Sequence, residues 1–242
     1  MSTLKEKTAK GLGWGFVDNF VGTGITAVVS ILLARILSPQ EFGLVGMIAI
    51  FISLGNSLMD SGFSGALIRK KDATDKDLST VFYTNLILSI VIYAILYLCA
   101  PAIGSFLGNS FLTTLLRVLG LSVVIMSFTQ VQKVNFIRKI DFRTQAIISL
   151  VASLVSGVVS IWMALKGCGV WSLVAQQLSK QAVVSLLLWV FSTWKPSFTF
   201  SFASFKEMFG FGSRLLACSL ISVIWNEIYS LVIGKMSNPI AV

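Results

Sequence analysis

Seven apolar runs occupy most of this chain, at about 12–37, 42–68, 78–100, 111–134, 145–165, 170–191 and 212–234. Each has the roughly 20 residues that a helix needs to cross about 30 Å of hydrocarbon. A soluble fold could bury one or two such runs beneath a polar surface, but seven leave too little polar material to make that surface. Charged residues are only 12% of the 242, and 55% are hydrophobic, with a mean hydropathy of +0.86. Soluble domains carry about 25% charged residues. In hydrocarbon the backbone must satisfy its own hydrogen bonds, so the runs read as helices. The expected fold class is all-α, a polytopic membrane helix bundle.

Local chemistry marks the boundaries. In Leu33-Ala34-Arg35-Ile36-Leu37-Ser38-Pro39-Gln40-Glu41-Phe42-Gly43, Arg35 closes one run, Ser38 can cap the next, Pro39 suits a first helical position and Glu41 can reach back to the cap. Thr74 and Asp77 form a similar capping pair. Pro101 is expected to stop the third run, and Lys166-Gly167-Cys168-Gly169 is a tight turn between the fifth and sixth. The segment from Trp194 to Phe211 mixes six phenylalanines with Ser, Lys195, Lys206 and Glu207, which suits a stretch lying at the headgroups before the seventh span.

The formal charge of +9 would suggest nucleic acid on a soluble protein. Here thirteen of the 19 Lys and Arg residues fall in the N-terminus and the segments after runs two, four and six, against Arg35, Lys166 and Lys235 on the other side. That asymmetry is the orientation signal of a membrane protein, so nucleic acid is not an expected partner and the N-terminus is expected on the cytoplasmic side. Cys99, Cys168 and Cys218 form no CxxC pair and histidine is absent, so neither structural disulfides nor a zinc site is expected, and no cofactor is implied. The first apolar run lacks a cleavage motif and reads as a retained span rather than a signal peptide.

The chain echoes itself. Leu4-Lys5-Glu6 matches Phe205-Lys206-Glu207, and Gly11 matches Gly212, at an offset of 201; Arg35-Ile36-Leu37-Ser38-Pro39 matches Lys235-Met236-Ser237-Asn238-Pro239 at an offset of 200. Basic-ended apolar helices also resemble one another by chance. The alternative is a second lobe beginning at the seventh run, as in transporters built from two parallel repeats. On that reading residues 1–200 form a six-helix N-terminal lobe, and 201–242 form the start of a second lobe that is cut short.

Three segments carry a resemblance: the Leu33–Gly43 turn, Asp60-Ser61-Gly62-Phe63-Ser64-Gly65-Ala66-Leu67-Ile68-Arg69-Lys70, and Gly169-Val170-Trp171-Ser172-Leu173-Val174-Ala175-Gln176-Gln177. The chain resembles the bacterial lipopolysaccharide and exopolysaccharide flippases of the multidrug/oligosaccharidyl-lipid/polysaccharide exporter superfamily. The resemblance implies a two-lobe helix bundle in the bacterial inner membrane. It implies transport of undecaprenyl-pyrophosphate-linked oligosaccharide from the cytoplasmic to the periplasmic leaflet by alternating access. Membrane lipids, a polysaccharide polymerase and glycosyltransferases are the implied partners. Family members are longer than this chain.

Charges inside spans are the candidate site residues, since each costs roughly 2.5–3.5 kcal/mol at a helix centre. Lys180 lies near the middle of run six, Arg214 in run seven and Arg117 in run four. Together they would line a cationic path for pyrophosphate and acidic sugars; the plain alternative is snorkelling or ion pairing within the lobe. Asp18, Glu227 and Asp60 are candidates for ion coupling or charge pairing, with Asp18 facing Lys180 or Arg214 and Asp60 equally suited to an interfacial cap. Asn19, Asn56, Gln130, Gln176, Gln177 and Asn226 could bind sugar hydroxyls or join helices. Rival functions are an inactive truncated fragment, a drug or metabolite exporter of the same superfamily, and a membrane glycosyltransferase or polymerase. An enzyme would need clustered carboxylates or a long polar loop, and the carboxylates here are scattered.

Overall fold

The computed structural model describes residues 22–60, 63–70, 73–139 and 141–236. They form eight helices: α1 (described over Gly22–Ile36), α2 (Pro39–Asp60), α3 (Phe63–Arg69), α4 (Asp75–Phe106), α5 (Phe111–Arg138), α6 (Phe142–Leu165), α7 (Trp171–Phe191) and α8 (Phe202–Met236). No strand occurs among the described residues. Five segments are long and apolar enough to cross a bilayer: 39–69, 75–106, 111–138, 142–165 and 171–191. The chain is a multi-pass membrane helix bundle.

Short turns fold the long helices back on one another. α4 pairs with α5 and α6 with α7, while α5 also touches α2, α3 and α7 and is the most enclosed span. Lipid tails are as apolar as leucine, so close packing and polar contacts hold such helices together. One apolar cluster joins Ile48 and Ile52 of α2, Leu112, Leu115 and Leu116 of α5 and Val174 of α7 at the end carrying the tight turns. A second joins α3, α4, α5 and α8 at the basic end. α6 presents small buried side chains (Ser153, Ser156, Gly157, Ser160 and Ala164), and at Gly157 any Cβ would come within 2.7 Å of Val29 on α1.

The helix starts follow the sequence closely. Thr74 and Asp77 exchange both bonds of a capping box, with Thr74 N–H donating to Asp77 Oδ2 at 2.9 Å. Asp141 accepts from the Thr144 N–H at 3.1 Å to open α6. At α2, Ser38 donates both its N–H (2.7 Å) and its hydroxyl (3.0 Å) to Glu41 Oε2.

One expectation is corrected. Pro101 does not stop the third span: α4 continues to Phe106, and the Thr113 hydroxyl of α5 donates to the Ala100 carbonyl beside it at 3.3 Å. Pro101 lacks the N–H that would serve the Tyr97 carbonyl, a loss that membrane helices tolerate where soluble ones often end. The stop comes at Leu107 and Gly108, where φ reaches +72°. The second run is described as α2 and α3, which lie in one apolar segment over 39–69, with 61–62 outside the described residues. The aromatic stretch after Trp194 comprises a non-helical strap over 192–201 and the first turns of α8. At 35 residues α8 is ~52 Å long, well beyond the ~30 Å of hydrocarbon. Its phenylalanine-rich first turns therefore extend past the apolar part of the helix.

Two of the sequence's marked turns meet. Gly169, at φ +58°, lies against Glu41, whose Oε1 a side chain at position 169 would strike. Gly169→Ala is therefore expected to lower stability in detergent by more than the ~1–2 kcal/mol that a left-handed alanine costs alone. In a Glu41→Ala background the loss should shrink, measured by thermal unfolding of both single variants and the double. Strictly additive losses would show that the two residues do not interact.

Candidate functional site

The strap is held to the basic end by directed hydrogen bonds. Ser197 N–H donates to Ser79 Oγ at 3.1 Å, and Ser201 N–H donates to Thr80 Oγ1 at 3.0 Å. Gln132 of α5, fully buried, donates to the Trp194 carbonyl at 3.3 Å and accepts from Ser192. Phe82 packs edge-on against Phe128, Trp189 and Trp194, and the Trp189 indole donates to the Phe128 carbonyl at 3.0 Å. α8 then starts beside α3, where Phe63 stacks on Phe205. Lys70 bridges Asp77 of α4 at 3.2 Å and Glu207 of α8 at 2.9 Å. The hydrogen-bonded Glu207 carboxylate, with Asp77 adding to it, raises the Lys70 pKa above its ordinary value.

Anchored there, α8 runs along α2 and α3. Gly65 lets it come close: a Cβ at that position would sit 3.0 Å from Leu215. Between α8 and the lobe lies a cleft of about 550 Å³ bordered by Asn56, Ser57, Ser64, Met126, Leu215 and Ser219. Its walls carry amide and hydroxyl groups in the middle of an otherwise apolar bundle. Asn56 Oδ1 and Ser64 Oγ are buried there and have no hydrogen-bond partner among the described residues. Burying such groups costs ~1–3 kcal/mol each when nothing answers them.

The two intramembrane cations with described side chains take different neighbours. Lys180, half-buried on α7, donates to Thr26 Oγ1 of α1 at 3.1 Å, and that hydroxyl in turn donates to the Gly22 carbonyl. Arg117 of α5 lays its guanidinium 4.3 Å from the centre of the Tyr97 ring on α4. Neither borders the α2–α8 cleft, and no charged residue borders it among the described residues. Asp60 ends α2, while Arg214 and Glu227 lie within α8; their side chains, and the whole of Asp18, lie outside the described residues. Arg214 directly precedes the cleft residue Leu215.

Asn56 was named from sequence as a candidate; Ser57, Ser64 and Ser219 were not. Their signal was present as small polar residues inside apolar runs, but an apolar helix also carries serine to bond its own backbone. Ser127, Ser156 and Ser160 do so here, each to the carbonyl three residues back. Only the approach of α8 separates the two kinds of serine.

Residues 32–242 match the model of a family described as "Polysaccharide biosynthesis protein". The lipopolysaccharide biosynthesis protein WzxC of Escherichia coli K12 is 27% identical over 97% of this chain and 48% of its own length. The succinoglycan biosynthesis transport protein ExoT of Rhizobium meliloti is 26% identical over 96% of the chain and 47% of its own. For the teichuronic acid biosynthesis protein TuaB of Bacillus subtilis the figures are 27%, 97% and 49%. The chain thus spans about half the length of these relatives. Its fold is similar to that of a multidrug resistance MATE family transporter in an inward-facing conformation, with a TM-score of 0.59, 20% identity and coverage of 93% of this chain and 59% of that one. With residues 32–242 matched, this bundle of apolar helices belongs to the polysaccharide biosynthesis protein family.

Proposed function

We propose that the chain acts in moving lipid-linked, undecaprenyl-pyrophosphate-borne oligosaccharide across the bacterial inner membrane for lipopolysaccharide or exopolysaccharide synthesis. The observation that carries this reading is the polar cleft between α8 and the helices α2, α3 and α5. At about 550 Å³ it falls within the ~300–1,000 Å³ of small-molecule sites, enough for a few sugar units and far too small for a lipid tail. Each unpaired hydroxyl moved into hydrocarbon costs ~4–8 kcal/mol. A sugar chain therefore crosses only where amides and hydroxyls replace its water, and Asn56, Ser64 and Ser219 offer such groups.

In this account residues 1–200 form one lobe and α8 opens the second. The N-terminus and the basic end are cytoplasmic. The lobes rock about the fixed cleft, the headgroup crosses within it, and the lipid tail stays in the bilayer. Lys180, Arg214 and Arg117 lower the barrier for the anionic headgroup, and Asp18, Glu227 and Asp60 serve as ion-coupling or charge-pairing groups. No bond is made or broken, so the protein is a transporter rather than an enzyme. It would receive its substrate from glycosyltransferases and deliver it to a polymerase.

Two outcomes test this. Cells carrying Lys180→Ala at the native locus should display about tenfold less surface or secreted polysaccharide, the effect of losing ~1.4 kcal/mol of barrier stabilisation, with unchanged protein in the membrane; normal export would remove Lys180 from the path. Asn56→Leu should raise stability in detergent by about 1 kcal/mol, since it removes a buried acceptor with no partner, while lowering export. Unaltered export by Asn56→Leu would mean that the cleft is not the route.

A further inference from the structure

A second cavity lies inside the lobe and shares Met126 of its wall with the α8 cleft. It measures about 220 Å³ and opens between α5, α6 and α7. Its polar lining is Thr129, Gln130 and Lys133 from α5, Gln145 and Ser149 from α6, and Gln181 from α7. These residues recur at helical spacing, so three helices turn their polar positions toward one space. Ile148 and Leu188 form an apolar floor and belong to one packed cluster with Phe136.

The chemistry of the lining selects a ligand class. It offers three amides, two hydroxyls and one ammonium, with no acidic residue. Lys133 is exposed at the rim and meets no carboxylate among the described residues. The Gln145 Nε2 group is buried and finds no acceptor among the described residues. A buried donor beside an unpaired cation calls for an anion with several acceptor oxygens. The volume is below the ~300 Å³ at which sites for drug-sized molecules begin, so an oligosaccharide does not fit but a phosphate group with a small substituent does. The cavity lies where α5 ends and α6 begins, beside the basic segment Arg138, Lys139 and Arg143. α6 and α7 also expose Ile147, Val151, Leu186 and Val190, so both helices present apolar surface to lipid. Basic pockets between membrane helices at this depth suit lipid headgroups.

We infer that the α5–α6–α7 cavity binds the phosphate headgroup of a membrane lipid, with Lys133 Nζ and Gln145 Nε2 as its principal donors. Two lipids carry that chemistry: an anionic phospholipid of the bilayer, and the polyprenyl phosphate carrier. The site adjoins the α8 cleft at Met126, but its own donors do not border the cleft, so it stands whether or not the cleft is the transport route.

The test uses the full chain in nanodiscs of phosphatidylcholine containing phosphatidylglycerol, with native mass spectrometry counting retained phosphatidylglycerol. One tightly held molecule is expected. Lys133→Gln and Gln145→Leu should each weaken its retention about tenfold, and Lys133→Arg should restore it. Lys166→Gln removes the same charge at the α6–α7 turn, where Lys166 lies over Trp162, and should change nothing. Adding undecaprenyl phosphate at equal concentration separates the sources: displacement assigns the site to the carrier, and continued retention assigns it to bilayer phospholipid. Equal retention by wild type, Lys133→Gln and Gln145→Leu overturns the site, as does equal loss in Lys166→Gln.

Discussion

Hydrocarbon supplies no hydrogen bonds, and almost every feature of this chain answers that constraint. The described backbone is helical wherever the sequence is apolar. The helix starts are closed by side chains of the chain itself: Glu41 on Ser38, Asp77 on Thr74 and Asp141 on Thr144. Serines within the spans donate to their own helix carbonyls, and Thr113 reaches across to α4 at the residue before Pro101. Polar atoms left over against that background stand out. Asn56, Ser64 and Gln145 each bury one without a partner among the described residues, as do Asn85, Arg117, Ser122, Ser153, Ser172 and Trp194 elsewhere. The first two border the α8 cleft and the third borders the α5–α6–α7 cavity.

The two ends of the bundle are built differently. At one end the connections are tight turns, locked where Gly169 admits Glu41 from the neighbouring hairpin. At the other, basic segments and a hydrogen-bonded strap carry the chain from α7 to α8, and Lys70 ties α8 to α4 through Glu207 and Asp77. The ionic and aromatic contacts of this end include the buried side chains of Asp77, Phe82 and Gln132.

Much of the fold was legible because bilayer thickness, capping chemistry and charge asymmetry are local signals. Five apolar helices between 39 and 191, the Thr74–Asp77 box and the Lys166–Gly169 turn could be read directly. Pro101 misled because a membrane helix continues through a proline that would more often end a soluble one. For the candidate site the sequence pointed to charges, since a buried charge is the costliest residue to carry. In the described structure Lys180 is bonded to Thr26 and Arg117 lies over Tyr97. The cleft instead uses serines, whose purpose depends on which helix approaches them, and the sequence of one helix does not record that.

Whether the cleft between α2 and α8 must open and close during transport is best measured by holding it shut. Asn56 and Ser219 border it from opposite sides. In a background with Cys99, Cys168 and Cys218 replaced by serine, cysteines at 56 and 219 can be joined by a short reducible linker. Movement of lipid-linked oligosaccharide into membrane vesicles is the readout. The account predicts that joining the pair stops transport, that reductant restores it, and that either cysteine alone treated in the same way leaves it unchanged. Full transport by the joined protein would contradict it.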